Sequence, residues 1–236
     1  MQRLAKGIHR FRSDYFKSRR ALFEKLASDG QRPETLFITC SDSRVVPNLI
    51  TSTQPGELFL VRNVGNIVPA VNRGVIGGVA AAIEYAVQVL NVGNIVVCGH
   101  TQCGAMDAVV HPEQVRHLRF VSRWLDEAGA IPRILEERYG ELDPEQRMNA
   151  AVQENVLLQL ENLRTYDFIA QRLDKGDLHI MGWVYRIATG DVFEYEPASE
   201  QFLTIGGEND VPLTRRGTDS TPPASPTEPP RPPRRG

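Results

Sequence analysis

Two short stretches, "CSDSR" at 40–44 and "GHTQCGA" at 99–105, bring two cysteines, a histidine, a carboxylate and a guanidinium into play. His100 and Cys103 stand three residues apart, directly after the apolar run "NIVVCGH". Cys40 ends a second such run, "TLFITC", sixty residues earlier. In a parallel sheet the carboxyl ends of neighbouring strands open onto one crevice. If these two strands are neighbours, two thiolates and one imidazole converge there. That donor set suits Zn²⁺, and three protein ligands leave its fourth tetrahedral position open. Cys103 also precedes what reads as a helix start, a place that lowers a thiol pKa.

Asp42 lies two residues from the first cysteine and has two options. It can take the open position and close the site. Alternatively, Arg44 can hold it in a bidentate, charge-assisted pair. Asp42 then accepts a hydrogen bond from zinc-bound water or hydroxide and aims a lone pair at substrate. From the residues alone other readings stay open. Buried cysteines are often only small hydrophobes, Cys98 could supply a third sulfur to a closed structural site, and Asp42 could be an ordinary helix cap.

The elements that would position these groups follow from periodicity. "TLFITC", "ELFLVRN" and "NIVVCGH" are short β-rich runs. Between the last two lies "GVIGGVAAAIEYAVQVL", apolar nearly all round, which suits a buried helix over a sheet. Strand–helix–strand order implies a right-handed crossover and a mostly parallel sheet. "DPEQRMNAAVQENVLLQLENL" carries Asp143 as N-cap, Pro144 at the first helical position and Gln146 completing a capping box. "LHIMGWVYRIATGDVFEYE" reads as two strands joined by a turn at Thr189, Gly190 and Asp191.

The expected fold is α/β, with a mostly parallel central β-sheet flanked by helices. Residues 1–34 form an N-terminal helical arm with seven Lys/Arg in its first twenty positions. Its apolar stripe of Leu4, Ile8, Phe11, Tyr15, Leu22, Phe23 and Leu26 needs a surface to bury it, and a partner subunit provides one. Residues 35–205 form the zinc-binding α/β domain. Residues 206–236 are rich in Pro, Ser, Thr and Arg with few apolar side chains, the composition of a disordered tail.

Composition bounds the function. The chain has 236 residues, 41% of them hydrophobic, enough for a proper core. A net charge of −2 offers no general basic footprint for nucleic acid. No apolar stretch is long enough to span a membrane, and no secretory signal stands at the start. Three cysteines, an odd number, argue against a secreted disulfide framework and for a cytoplasmic setting.

Taken together, "CSDSR", "GHTQCGA", "GELFLVRNVGNIVP" and "AAIEYAV" resemble the β-class carbonic anhydrases over about residues 1 to 200. The arm and the wording "SDSRVVPNLIT" look most like the cyanobacterial, carboxysome-associated branch, which is close to the plant enzymes. The resemblance implies a zinc enzyme of carbon fixation that interconverts CO₂ and bicarbonate through attack of zinc-bound hydroxide. Cys40, His100 and Cys103 match its zinc ligands, and Asp42 with Arg44 its catalytic dyad. Gln31 matches a glutamine that reaches substrate across a dimer interface, and Phe59, Val64 and Tyr85 match the apolar pocket wall. Gly104 supplies a backbone amide beside the metal.

The resemblance further implies a homodimer as minimal unit, higher homo-oligomers, and a carboxysome scaffold protein as partner inside a carboxysome. Three departures stand out. Phe37 replaces the Trp of the bicarbonate-inhibited branch although Arg62 matches its arginine, Ala80 stands where relatives carry Gly, and the Pro/Arg-rich tail matches no family tail. Two alternatives share the same residues: a CS₂ or COS hydrolase, and a non-catalytic zinc-containing scaffold component.

Overall fold

The strand-forming runs end where the apolar pattern ends. The computed structural model describes residues 2–71, 77–206 and 212–214. Its strands are β1 (Thr35–Cys40), β2 (Leu58–Asn63), β3 (Asn94–His100), β4 (His179–Tyr185), β5 (Val192–Glu196) and β6 (Gln201–Thr204). They form one sheet in the order β2-β1-β3-β4-β5-β6. The first four run parallel, and β5 and β6 add an antiparallel edge. β1 and β3 are neighbours, with Thr39 paired to Cys98, so the chain leaves both at the same end of the sheet. β6 is an addition to the expected strands. "QFLT" is short, and what holds it is its pairing with β5.

The main core lies between the sheet and its helices. Leu36 and Ile38 of β1 and Ile95 and Val97 of β3 pack there with Val152 and Val156 of the helix Pro144–Arg164. That helix begins as its sequence requires: Asp143 Oδ1 accepts from the Gln146 backbone N–H at 2.9 Å, and Pro144 occupies the first turn. Two strand glycines let it lie close. A Cβ on Gly99 would sit 2.9 Å from Val156 Cγ2, and one on Gly182 would sit 2.8 Å from Val156 Cγ1. The other sheet face carries Phe37, Val96 and Cys98 with Met181, Trp183 and Tyr185.

The crossover between β2 and β3 is only half-buried. Its helix Gly78–Glu84 continues as a π-helical turn Tyr85–Val89, burying Ile83, Ala86 and Val87. Tyr85 is 44% and Val89 63% exposed, so an apolar side faces away from this chain's own sheet. The arm is helical at Gln2–Arg10 and Arg20–Asp29 with a π-helical stretch Phe11–Phe16 between, and none of the three buries a residue. Phe11, Tyr15, Phe16 and Phe23 cluster on one another instead.

Of the expected tail, Leu213 and Thr214 are docked on the domain: the Leu213 N–H donates to the Phe202 carbonyl and Gln153 donates to the Thr214 carbonyl. Apart from Gly206 and Pro212, the rest of the tail lies outside the described residues. Among the described residues no helix is long and apolar enough to cross a membrane.

Candidate metal centre

β1 delivers Cys40 at its last residue and β3 delivers His100 at its last residue. Cys103 follows at the start of the helix Gly104–Val110. The ligand atoms of all three lie within 4.8 Å of one another, and all three side chains are buried. His100 Nδ1 is 2.9 Å from the Thr101 carbonyl oxygen, a partner that requires a proton on Nδ1. In the neutral ring Nε2 then carries the lone pair, and it is buried with no hydrogen-bond partner. A buried acceptor with nothing to accept from is costly. Two sulfurs and such a nitrogen fit a borderline-soft metal ion.

The thiols are tuned by their surroundings. Cys40 is drawn down, chiefly by a hydrogen bond from Cys103, with help from the Gly65 and Asp42 backbone N–H groups. The same contact pushes Cys103 up, although the Ala105 and Met106 N–H groups also reach its sulfur. Between them the two cysteines favour one thiolate beside one thiol, poised to lose the second proton to a cation. Cys98 is a different case. It is fully buried with Phe37 and Val96, outside the cluster, and burial pushes its thiol up to about 12. That removes the third-sulfur alternative.

Arg44 holds Asp42 at both carboxylate oxygens. Its Nε donates to Oδ1 at 3.0 Å and its Nη2 to Oδ2 at 2.8 Å, while the Arg44 backbone N–H adds a third bond to Oδ1 at 2.9 Å. These bonds hold the Asp42 carboxyl well below the usual range, so it stays ionised. Oδ2 lies 3.9 Å from His100 Nε2, at the edge of the cluster. Arg44 is in turn fixed by the Gln102 carbonyl at 3.1 Å, and Gln102 adopts a left-handed backbone (φ 57°) between His100 and Cys103. Gln102 carries no motif that marks this clamp.

The remaining expected residues fall into place unevenly. Val64 stands next to Gly65 and is 43% exposed. Phe59 and Tyr85 meet each other with ring centroids 6.0 Å apart. Gly104 opens the helix after Cys103, but the amides reaching that sulfur come from Ala105 and Met106. Gln31 is exposed ahead of Thr35, at the opposite end of β1 from Cys40. Six strand residues put roughly 17 Å between those ends, so within one chain Gln31 is remote from the cluster.

Ala80 is half-buried in the crossover helix. Phe37 packs edge-on against Trp183 at 5.9 Å. Arg62 is spent on backbone, donating to the Cys40 carbonyl at 3.1 Å and the Asp42 carbonyl at 2.7 Å.

The chain is similar to known proteins over most of its length. A family model described as carbonic anhydrase matches residues 35–192, which include every member of the cluster. A carbonic anhydrase of Synechocystis sp. is 46% identical over 204 residues, covering 86% of this chain and 74% of that one. One from Pseudomonas aeruginosa is 44% identical over 211 residues, covering 89% and 94%. Among solved structures, the β-carbonic anhydrase CcaA superposes with a TM-score of 0.83 at 46% identity, over 87% of this chain and 99% of that one. A structure described as one of two tetrameric β-carbonic anhydrases of Sordaria macrospora gives 0.72 at 30% identity, over 82% and 95%. With its own Cys-His-Cys cluster at the shared sheet end, the chain belongs to the β class of the carbonic anhydrase family.

Proposed function

We propose that this chain catalyses the reversible hydration of CO₂ to bicarbonate and a proton, with one Zn²⁺ held by Cys40, His100 and Cys103. The observation that carries the reading is the bidentate Asp42–Arg44 pair beside an imidazole nitrogen that has no other partner. When bound, zinc supplies Lewis acidity that makes a hydroxide nucleophile available near neutral pH. Asp42 is held off the metal by Arg44 and keeps a lone pair on Oδ2 at the cluster edge. Its Oδ2 would accept a hydrogen bond from the O–H of such a nucleophile, orienting the nucleophile's lone pair and disfavouring anions that have no proton to donate.

Val64 offers CO₂ an apolar berth, which suits a small molecule with no net dipole. Phe59 pairs with Leu36, four residues before Cys40, and packs with Tyr85, so these two rings would join the berth from a neighbouring copy. The released proton passes to buffer.

A second copy of the chain completes the site in this reading. Gln31 is remote from its own Cys40, the arm's helices Gln2–Arg10 and Arg20–Asp29 hold no fully buried residue, and Tyr85 and Val89 face outward. Exchange of arms between two copies would cover these surfaces and bring Gln31 to the neighbouring pocket. A homodimer is then the minimal unit, a higher homo-oligomer its extension, and the cytoplasm its setting. Residence in a carboxysome with a scaffold protein belongs to the same reading and rests on the cyanobacterial likeness alone.

Stopped-flow CO₂ hydration on zinc-loaded protein tests the function. Rapid hydration that collapses in Asp42→Ala supports it. Stoichiometric zinc without hydration overturns it in favour of a non-catalytic scaffold component.

A further inference from the structure

Gly65 to Ala70 form an irregular segment that is nevertheless buried throughout. Buried backbone outside helix or sheet must find hydrogen-bond partners elsewhere, and here side chains supply them. Asn63 Oδ1 accepts from the Ile67 N–H and its Nδ2 donates to the Ile67 carbonyl. The helix Pro144–Arg164 contributes three amides at i, i+4 and i+7. Asn155 Nδ2 donates to the Gly65 carbonyl at 2.9 Å, Gln159 Oε1 accepts from the Val68 N–H at 2.8 Å, and Asn162 Nδ2 donates to the Val68 carbonyl at 2.8 Å. Asn155 and Gln159 are fully buried and joined to each other at 2.9 Å. From another helix, Arg119–Leu125, Trp124 Nε1 donates to the Val64 carbonyl at 2.7 Å.

The segment needs this hold. Gly65 takes a left-handed φ of 82° freely, but Asn66 follows at φ 49°, a conformation that costs a residue with a side chain and that surrounding structure holds. It also touches both halves of the cluster. The Gly65 N–H reaches the Cys40 sulfur. A Cβ added at Gly65 would lie 3.1 Å from Ala105 Cβ, on the helix that follows Cys103.

We infer that Asn155 and Trp124 are positioning residues for the proposed reaction: by gripping the Gly65 and Val64 carbonyls from two helices, they set where the Gly65 N–H meets Cys40 and where Val64 faces CO₂. This rests on the reading of Cys40 as metal ligand and Val64 as pocket wall. Neither Asn155 nor Trp124 touches the reacting atoms. Asn155→Leu keeps the shape and removes the donor, and Trp124→Phe does so at a half-buried position while keeping an aromatic ring against the core. Tyr166→Phe is the control, because Tyr166 donates to the Pro69 carbonyl in the same segment but far along it from Gly65.

The readouts are kcat for hydration by zinc-loaded protein and hydrogen–deuterium exchange of the 60–70 backbone amides. Asn155→Leu and Trp124→Phe should lower kcat about 10- to 100-fold, the usual effect of losing an outer-shell partner, and should speed exchange at Gly65. Tyr166→Phe should stay within about twofold in kcat on the same scale. If Asn155→Leu does not fold, Trp124→Phe decides alone. Wild-type kcat in Trp124→Phe overturns the inference, and so does an equal loss in Tyr166→Phe, which would reduce it to general loosening. A wild-type protein that fails to hydrate CO₂ overturns the function reading itself, a distinguishable result.

Discussion

The metal cluster and the N-terminal arm both stand out in the sequence, yet one chain completes only the first. Cys40 and His100 end adjacent parallel strands, so backbone pairing alone brings their side chains together. The arm has a strong apolar stripe, with Leu4 71% and Ile8 62% exposed and no buried residue in either helix. Strand-end placement is a property of the sheet and needs nothing outside it. Amphipathicity states only that a face must be covered, and leaves the covering surface to be supplied. Metal-ligand geometry and assembly geometry are therefore separable in this molecule, and variants should change metal content or assembly, one without the other.

The sharpest separation comes from the ligands. His100→Ala should abolish stoichiometric metal binding and bring hydration down to the uncatalysed background, as elemental analysis and stopped-flow assay would show. In Leu4→Asp combined with Ile8→Asp, metal content should be unchanged while sedimentation shifts to smaller species. Loss of metal from the arm variant would break the comparison.

Next in size is Arg44→Ala. Freed from its clamp, Asp42 should misorient the nucleophile or enter the metal's open position. Hydration should fall about 10- to 100-fold with metal retained.

The pH–rate profile sharpens the same point. Asp42 has a depressed pKa, so the ion pair's contribution is present above the ordinary carboxylate value of ~3.9 and is lost only as pH falls through the lower folded value. Activity should rise into the mildly alkaline range because two thiolates weaken the metal's Lewis acidity, and no carboxylate limb should appear above pH ~5. A maximum at acid pH would contradict this.

The smallest effect belongs to Asp143→Ala, a helix cap that belongs to neither the ligand cluster nor the arm. Loss of the cap should cost about 1 kcal/mol, a fall in Tm of roughly 2–4 °C for a chain of this size, with hydration unchanged.

How much was legible follows the same division. The strands carrying Cys40 and His100 announce themselves as apolar β-rich runs, and the capped helix after Asp143 by its Asp-Pro start. Cys98 was ambiguous in sequence because its spacing to His100 permits ligation, and only its packing with Phe37 and Val96 excludes it. The amide ladder was missed because Asn155, Gln159 and Asn162 look like ordinary polar positions of an amphipathic helix. Their partners lie about ninety residues away. A signal existed in "NVLLQLEN", where amides rather than charges recur at i, i+4 and i+7. Gln102 and Trp124 act through backbone conformation and a single long-range bond, which no local pattern encodes.

The central claim is that Cys40, His100 and Cys103 hold the metal. X-ray absorption at the zinc edge of the loaded protein tests it most directly, with Cys40→Ser and Cys98→Ser beside the wild type. The account predicts two sulfurs at ~2.3 Å and lighter donors at ~2.0–2.1 Å, one sulfur lost in Cys40→Ser and none in Cys98→Ser. Three sulfurs in the wild type, or a sulfur lost with Cys98, would contradict it.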